Sequence, residues 1–550
     1  MVGRNHDAGT SLMDRRCFVR TAGLAATGAA FGCSMMGCEV VVDGPSIPCL
    51  SVVQAPVPVA GMTYIKASEI GCALDCDLSI GYNKYTFGAA TDDGPRINAA
   101  MAGASASNPI TLIIDGSALI SGLFLPAGGY WSIAGLGCGT GFFVKSGTNN
   151  DGIHNGGPNA TVLDGLGPPP PARGSNVSLS NFTLNGNQGN GHSGDSTTGA
   201  YQGSSTNGWY FGINLMNLNN ITIENVVVVN SPSYHFRFSN VGNVTVSGCV
   251  MKSIGLNTDG LHFDGPANDI TISNCDFTMG DDAIALNCPE GHTGNISRVS
   301  VTNCTFNSWS LMRLYTKIWT GYPNYSIDTV AVSNCSGTFV AESFSIGAGS
   351  GNLPNSVASL TVSNCSLTTP AILNISTNFG SIALSNVTLI PSANSSQAPP
   401  GFALVRTSSN LISLTYVGSS LSITNCVISR SGNYDVAALI LTNNSTINNL
   451  EINGFAVQDP PGSSYSTASE LLNIAPGSIG QLVIDALNSK AIKAPVSEGG
   501  FSNVGSVSGA GVLATGWEFP DAVMANGVPY ISASTGLPSI KVGGVVEPYP

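Results

Sequence analysis

The 550-residue chain reads as all-β, a right-handed parallel β-helix (a solenoid) with a short N-terminal capping helix. Three observations predict this. First, a frame of alternating apolar residues ending in Asn recurs along the chain. It runs VSLSNF at 177–182, ITIENV at 221–226 and VTVSGC at 244–249, then on through Asn274, Asn303, Asn334 and Asn364. Period-two alternation marks a half-buried strand, and Asn tolerates the left-handed backbone angles of a tight corner. Second, there is one strand phase per repeat, without the closely spaced hairpin turns of a β-sandwich. Third, only 9% of residues are charged while Gly, Ser, Asn, Thr and Val abound, which suits short strands joined by turns and argues against disorder.

Taken in order, residues 1–38 read as an address. Arg15-Arg16-Cys17-Phe18 resembles a twin-arginine export signal, followed by an apolar run at 21–31 that is too short to span a bilayer. Cys33 and Cys38 are lipidation candidates, so the expected location is extracytoplasmic, secreted or lipid-anchored. Residues 39–83 read as a linker and N-terminal cover. The Ala-rich stretch after Thr91-Asp92-Asp93 predicts a short helix that seals the exposed strand edges of the first coil. Short strands are expected at 110–114 and 123–125. The solenoid is placed at 84–500, and residues 501–550 fold back as a C-terminal cover. A monomer is expected.

The formal charge of −13 and the pI near 4.7 argue against nucleic acid as a partner. Of the fourteen cysteines, Cys249, Cys275, Cys304, Cys335 and Cys365 recur inside the repeat frame without CxxC spacing. They predict a column of buried thiols in the core, not a zinc site. A chain exported already folded has no need of disulfides, although Cys72 and Cys76 could pair.

The chemistry concentrates between Asn257 and Asn287. Asp259 stands in Asn257-Thr258-Asp259-Gly260, and Asp281 and Asp282 follow 22 residues on (281 − 259), about one coil later. Coils stacked through strand hydrogen bonds lie about 4.8 Å apart, so the three carboxylates should form one cluster. Like charges that close raise at least one pKa. A proton donor beside ionised carboxylates is what hydrolysis of a glycosidic bond requires.

Asn230-Ser231-Pro232-Ser233-Tyr234-His235, then NTDG at 257–260, then GDDAIA at 280–285 resemble glycoside hydrolase family 28, the polygalacturonases and rhamnogalacturonan hydrolases, best over about 177–287. The resemblance implies a right-handed β-helix with Asp281 as general acid. Asp259 and Asp282 would activate a water, giving inversion, and Asn257 would hold its turn and touch sugar. The sequence departs from the family's later Gly-His-Gly and Arg-x-Lys motifs. The nearby histidine, His292, falls in a loop, and the next coil carries Arg313, Tyr315 and Lys317 at period two, facing one way. His235 with Arg237, and His262 with Asp264, extend the expected cleft. The implied function is an exported glycoside hydrolase acting on a pectin-like or related polysaccharide. One alternative is a Ca²⁺-dependent polysaccharide lyase with Arg313 or Lys317 as base; another is a non-catalytic glycan-binding or structural β-helix. No nucleotide loop or nucleophile elbow is present, so no cofactor is implied, apart from Ca²⁺ under the lyase alternative.

Overall fold

The computed structural model describes the chain from residue 54 to 550, apart from 55, 57–58, 79–89, 146–147, 149, 157–166, 188–209, 254–256, 289, 317–324, 349–356, 393–401, 408–415, 442–443, 464–468, 475–476, 488–491, 493, 497–499 and 516. The export signal, Cys33, Cys38 and Lys317 therefore lie outside the described residues.

The chain winds as a right-handed parallel β-helix. A full coil contributes three strand segments, each paired in parallel with the same segment of the coils before and after. In the middle of the molecule, the strand Leu261–Ser273 supplies two of them and Asp276–Thr278 the third. The next coil answers with Asp282–Cys288, Ile296–Thr302 and Thr305–Ser308. The pairing Phe236↔Leu261↔Ile284↔Met312↔Phe344 aligns one inward column, and all five side chains are buried. Alternation explains why: residues two apart share a face, so one column fills the core while its neighbours face outward.

The corner asparagines do what their chemistry allows. Asn181, Asn225, Asn274, Asn303, Asn334, Asn364, Asn386 and Asn425 all adopt φ between 51 and 57°, the left-handed region that costs other L-residues about 1–2 kcal/mol. Where their amides reach the next coil they form rungs, as from Asn225 to Asn181 at 3.2 Å and from Asn386 to Asn364 at 3.0 Å. Directly after the corners at Gly248, Asn274, Asn303, Asn334 and Asn364 sits the thiol column. Cys249, Cys275, Cys304, Cys335 and Cys365 are buried and free, and each Sγ–H donates to the carbonyl two residues before it. Stacked rings such as Phe277 on Phe306, centroids 5.0 Å apart, continue the same coil-on-coil order.

Three details depart from the sequence reading. Thr63–Lys66 already pairs with Ile110–Ile114, so the first rung precedes residue 84; one four-residue strand carries no readable period. At the far end the last rung is Val504–Ser508, paired with the strand Ser478–Leu487, past the boundary at 500. Cys138 is disulfide-bonded, which corrects the expectation of thiols alone, and Cys72 and Cys76 are both free. The capping helix is Gly94–Met101, with Ile97 and Met101 buried against the first coils. Beyond the last rung, a four-stranded sheet, Glu518–Phe519 with Pro529–Ser532, Pro538–Val542 and Val545–Pro548, sends Phe519 and Tyr530 into the core.

Candidate active site

Asp259, Asp281 and Asp282 come together. One carboxylate oxygen of each lies within 4.8 Å of the others. The strand register sets which acids face each other. Leu261 pairs with Ile284, an offset of 23, so Asp259 stands opposite Asp282 and Asp281 projects beside them. Gly260 makes this approach possible, because a Cβ there would meet the Ala283 carbonyl at 2.5 Å and the Phe277 ring at 2.7 Å.

Each acid is held differently. Asp281 is half-buried, and its Oδ2 accepts the backbone N–H of Asn257 at 3.0 Å; Asn257 can present that N–H because it adopts φ 57°. Asp282 is 1% exposed; its Oδ1 accepts from Ser310 Oγ at 2.5 Å, and Arg313 Nη1 stands 3.9 Å from its Oδ2. Asp259 is 5% exposed, and its Oδ2 lies 2.8 Å from His262 Nδ1. Burial pushes the Asp259 carboxyl above its ordinary range; the hydrogen bond and charge of His262 pull it down, and Asp282 pushes it up again. The rise expected for crowded acids thus falls on Asp259, with desolvation as its main cause.

His262 is the centre of a buried chain of charge. Burial opposes its protonation, but hydrogen bonds to Asp259, Asp264 and Glu290 outweigh that, and its pKa stands well above the ordinary value. As an imidazolium it donates Nδ1–H to Asp259, while Nε2 faces Asp264 Oδ1 at 3.2 Å and Glu290 Oε2 at 3.5 Å. Asp264 in turn takes Arg237 at 2.7 Å, with neither side chain exposed. The ring of His262 lies flat on Tyr234, centroids 3.8 Å apart, and Tyr234 stacks on Phe211 at 5.2 Å. Charges alternate from Arg237 through Asp264 and His262 to Asp259, which compensates the cost of burying each of them.

The expected cleft residues therefore divide. Arg313 and Tyr315 are half-buried beside the acids, and the guanidinium lies 4.6 Å from the centre of the Tyr315 ring. Burial works against the Arg313 charge, but Asp282, Tyr315, Glu290 and Asp281 outweigh it, so its pKa is raised. His235 is not a cleft residue. It is wholly buried, donates Nδ1–H to the Asp259 carbonyl and accepts from Ser253 Oγ, both at 3.0 Å; desolvation holds its pKa down to about 4, so it is a neutral brace under Asp259. His262 likewise lies beneath the surface, 1% exposed. His292 sits in the expected loop but points away from solvent, bridged to Gly167. Sequence reasoning missed Glu290, Tyr234, Ser310 and Trp309. Ser310 pairs with Asp282, in the coil where the family pattern has its Gly-His-Gly, and Trp309 beside it is half-buried.

Two groups of side chains carry donor sets that a cation could use: Asp259, Asp281 and Asp282, and the set His262, Asp264 and Glu290.

Residues 170–308 match the family model of the glycosyl hydrolases family 28. That stretch holds both acidic motifs, His262 and Glu290, and it ends just before Ser310 and Arg313, where the motifs depart from the family pattern. No curated protein matches the chain. Solved structures that resemble it include the family 28 exopolygalacturonase of Yersinia enterocolitica, at 10% identity, TM-score 0.43, covering 73% of this chain and 79% of that one. The polygalacturonase of Erwinia carotovora ssp. carotovora gives 14% identity, TM-score 0.43, and 78% and 99% coverage. PfbA, a surface adhesin of Streptococcus pneumoniae, gives 12% identity, TM-score 0.43, and 78% and 93% coverage. Two are named as hydrolases and one as an adhesin, so nothing about activity passes from them to this chain.

Proposed function

We propose that the chain is an exported glycoside hydrolase cleaving a pectin-like or related polysaccharide by acid/base hydrolysis. The observation that carries this reading is the three-acid cluster, whose oxygens lie within 4.8 Å of one another, inside the stretch that matches family 28. Asp281, the half-exposed acid, gives its proton to the leaving glycosidic oxygen. Asp259 and Asp282 take a proton from a water, whose hydroxide adds to the anomeric carbon as the bond to the leaving oxygen breaks. Arg313 and Tyr315 bind the sugar beside them, the cation on a carboxylate or hydroxyl pair and the ring on an apolar sugar face.

Inversion is proposed on the family resemblance. The nearest-oxygen spacing is shorter than the roughly 6.5–9.5 Å between carboxyls usual for inverting pairs. Against direct attack by a carboxylate stands the way each anion is tied: Asp282 by Ser310 and Arg313, Asp259 by His262. Such contacts stabilise charge and weaken a nucleophile. The lyase alternative has less support. An arginine whose pKa is raised is a poor base, and Arg313 already brings positive charge to within 3.9 Å of Asp282, which opposes a divalent cation among the same oxygens.

The test is a panel of polysaccharides, polygalacturonate and rhamnogalacturonan among them, incubated with the purified chain. Reducing ends should appear without new ultraviolet absorbance and without sensitivity to chelator. Proton NMR of the first product should show the inverted anomer. An unsaturated, absorbing product would replace the hydrolase with the lyase, and a retained anomer would make one carboxylate a nucleophile.

A further inference from the structure

We infer that this site works from the end of a glycan chain and not within it. The inference rests on the hydrolase reading and adds its mode of attack. On the outward face, the column aligned with His262 runs upstream through Arg237, Asn214 and His154. These four are 1, 0, 0 and 2% exposed. Every residue of 231–240 and of 258–265 is buried, so among the described residues these stretches of the coils before the acids offer no surface on which a glycan could lie.

Two constructions close that side. One is the ring stack of Phe211, Tyr234 and His262. The other is the segment 290–293, folded back over the outward face of two coils. Gly291 lies so close that a Cβ would meet Asp264 Oδ2 at 2.4 Å, Ser239 Oγ at 2.6 Å and Arg237 Nη2 at 2.9 Å, and its φ of 63° suits glycine. His292 N–H donates to Ser239 Oγ at 3.3 Å, and Thr293 N–H donates to the Gly167 carbonyl at 3.0 Å, which ties the C-terminal half of the segment to two other parts of the chain.

On the other side of the acids the face opens. Trp309, Arg313, Tyr315, Ser345 and Asn374 are all half-buried, and the strip closes again where Arg406 and Ile440 are 8% and 3% exposed. The opening spans about three rungs, roughly 14 Å at ~4.8 Å per rung, with Asp259 and Asp282 at its closed end. A polymer cut in mid-chain must lie across open rungs on both sides of the bond. Here a terminal unit enters against the acids, and the rest of the chain trails past Trp309 and Tyr315 toward Arg406.

The experiment follows viscosity and product size together on polygalacturonate, or on whichever panel polymer yields reducing ends, during the first few per cent of cleavage. A single short product from the earliest time point, with viscosity falling only in proportion to bonds cut, is expected. A ladder of intermediate oligomers with early collapse of viscosity overturns chain-end attack while leaving the hydrolase intact. No reducing ends from any polymer overturns the hydrolase reading, and chain-end attack with it.

Discussion

Asp259 is a buried carboxyl gripped by a histidine, and that pairing decides which of the two holds a proton. Burial raises the Asp259 pKa, and His262 is the main group lowering it. Replacing His262 with Gln removes that opposing charge, so the acid limb of kcat/KM should move to higher pH; an unmoved limb would show that His262 does not tune Asp259. The stability sign follows from the direction of the His262 shift. Its folded pKa lies above the unfolded value near 6.5, so its contribution is full below that pH and is lost as pH rises through the folded pKa. The thermal midpoints of wild type and His262→Gln should therefore differ most on the acid side. The acids were legible in the sequence because NTDG and GDD are contiguous motifs. Glu290 and Ser310 were not, since a loop residue and a serine carry no signal until the register sets them against His262 and Asp282. His235 and His262 looked like groove residues because alternation gives a face, and a face can still be roofed.

At the scale of one coil, regularity belongs to the strands and irregularity to the loops between them. From Leu261 to Ile284, Met312 and Phe344 the aligned positions step by 23, 28 and 32 residues. The 22 residues from Asp259 to Asp281 thus fall one short of the local step of 23, which sets Asp259 opposite Asp282. The corners were easier to read, because the left-handed angle demands Asn or Gly at one phase, and Gly248 with φ 62° takes that place where Asn is missing. Asn225→Gly should be tolerated within a few tenths of a kcal/mol beyond the lost rung to Asn181. Asn225→Val, β-branched at φ 54°, should cost at least about 1–2 kcal/mol in denaturant unfolding. Equal losses for the two would mean that the amide ladder, and not the backbone angle, fixes the corner.

For the whole molecule, one continuous core joins the capping helix, the coils and the C-terminal sheet. Its thiol column gives a direct reading of that continuity. Hydrogen bonds with neighbouring thiols, and then burial, hold Cys304 and Cys335 up to about 12, so the reactive thiolate is scarce at neutral pH. Alkylation followed by mass spectrometry should find Cys249 through Cys365 unmodified in the native chain and fully modified after unfolding; partial labelling of one member in native buffer would reveal a local opening. The solenoid was legible from its repeat. The closed upstream face was not, because it depends on segment 290–293 crossing coils that are distant in sequence.

The most direct measurement of the central claim sets turnover against binding for Asp281→Asn on the polymer that the panel identifies. The variant keeps the shape of the side chain and its contact with Asn257 but cannot supply the proton. Loss of kcat by about 10²–10⁴-fold, with glycan affinity and thermal midpoint unchanged, is the predicted result. Full activity in the variant would contradict it and leave the three acids as corner residues of a scaffold.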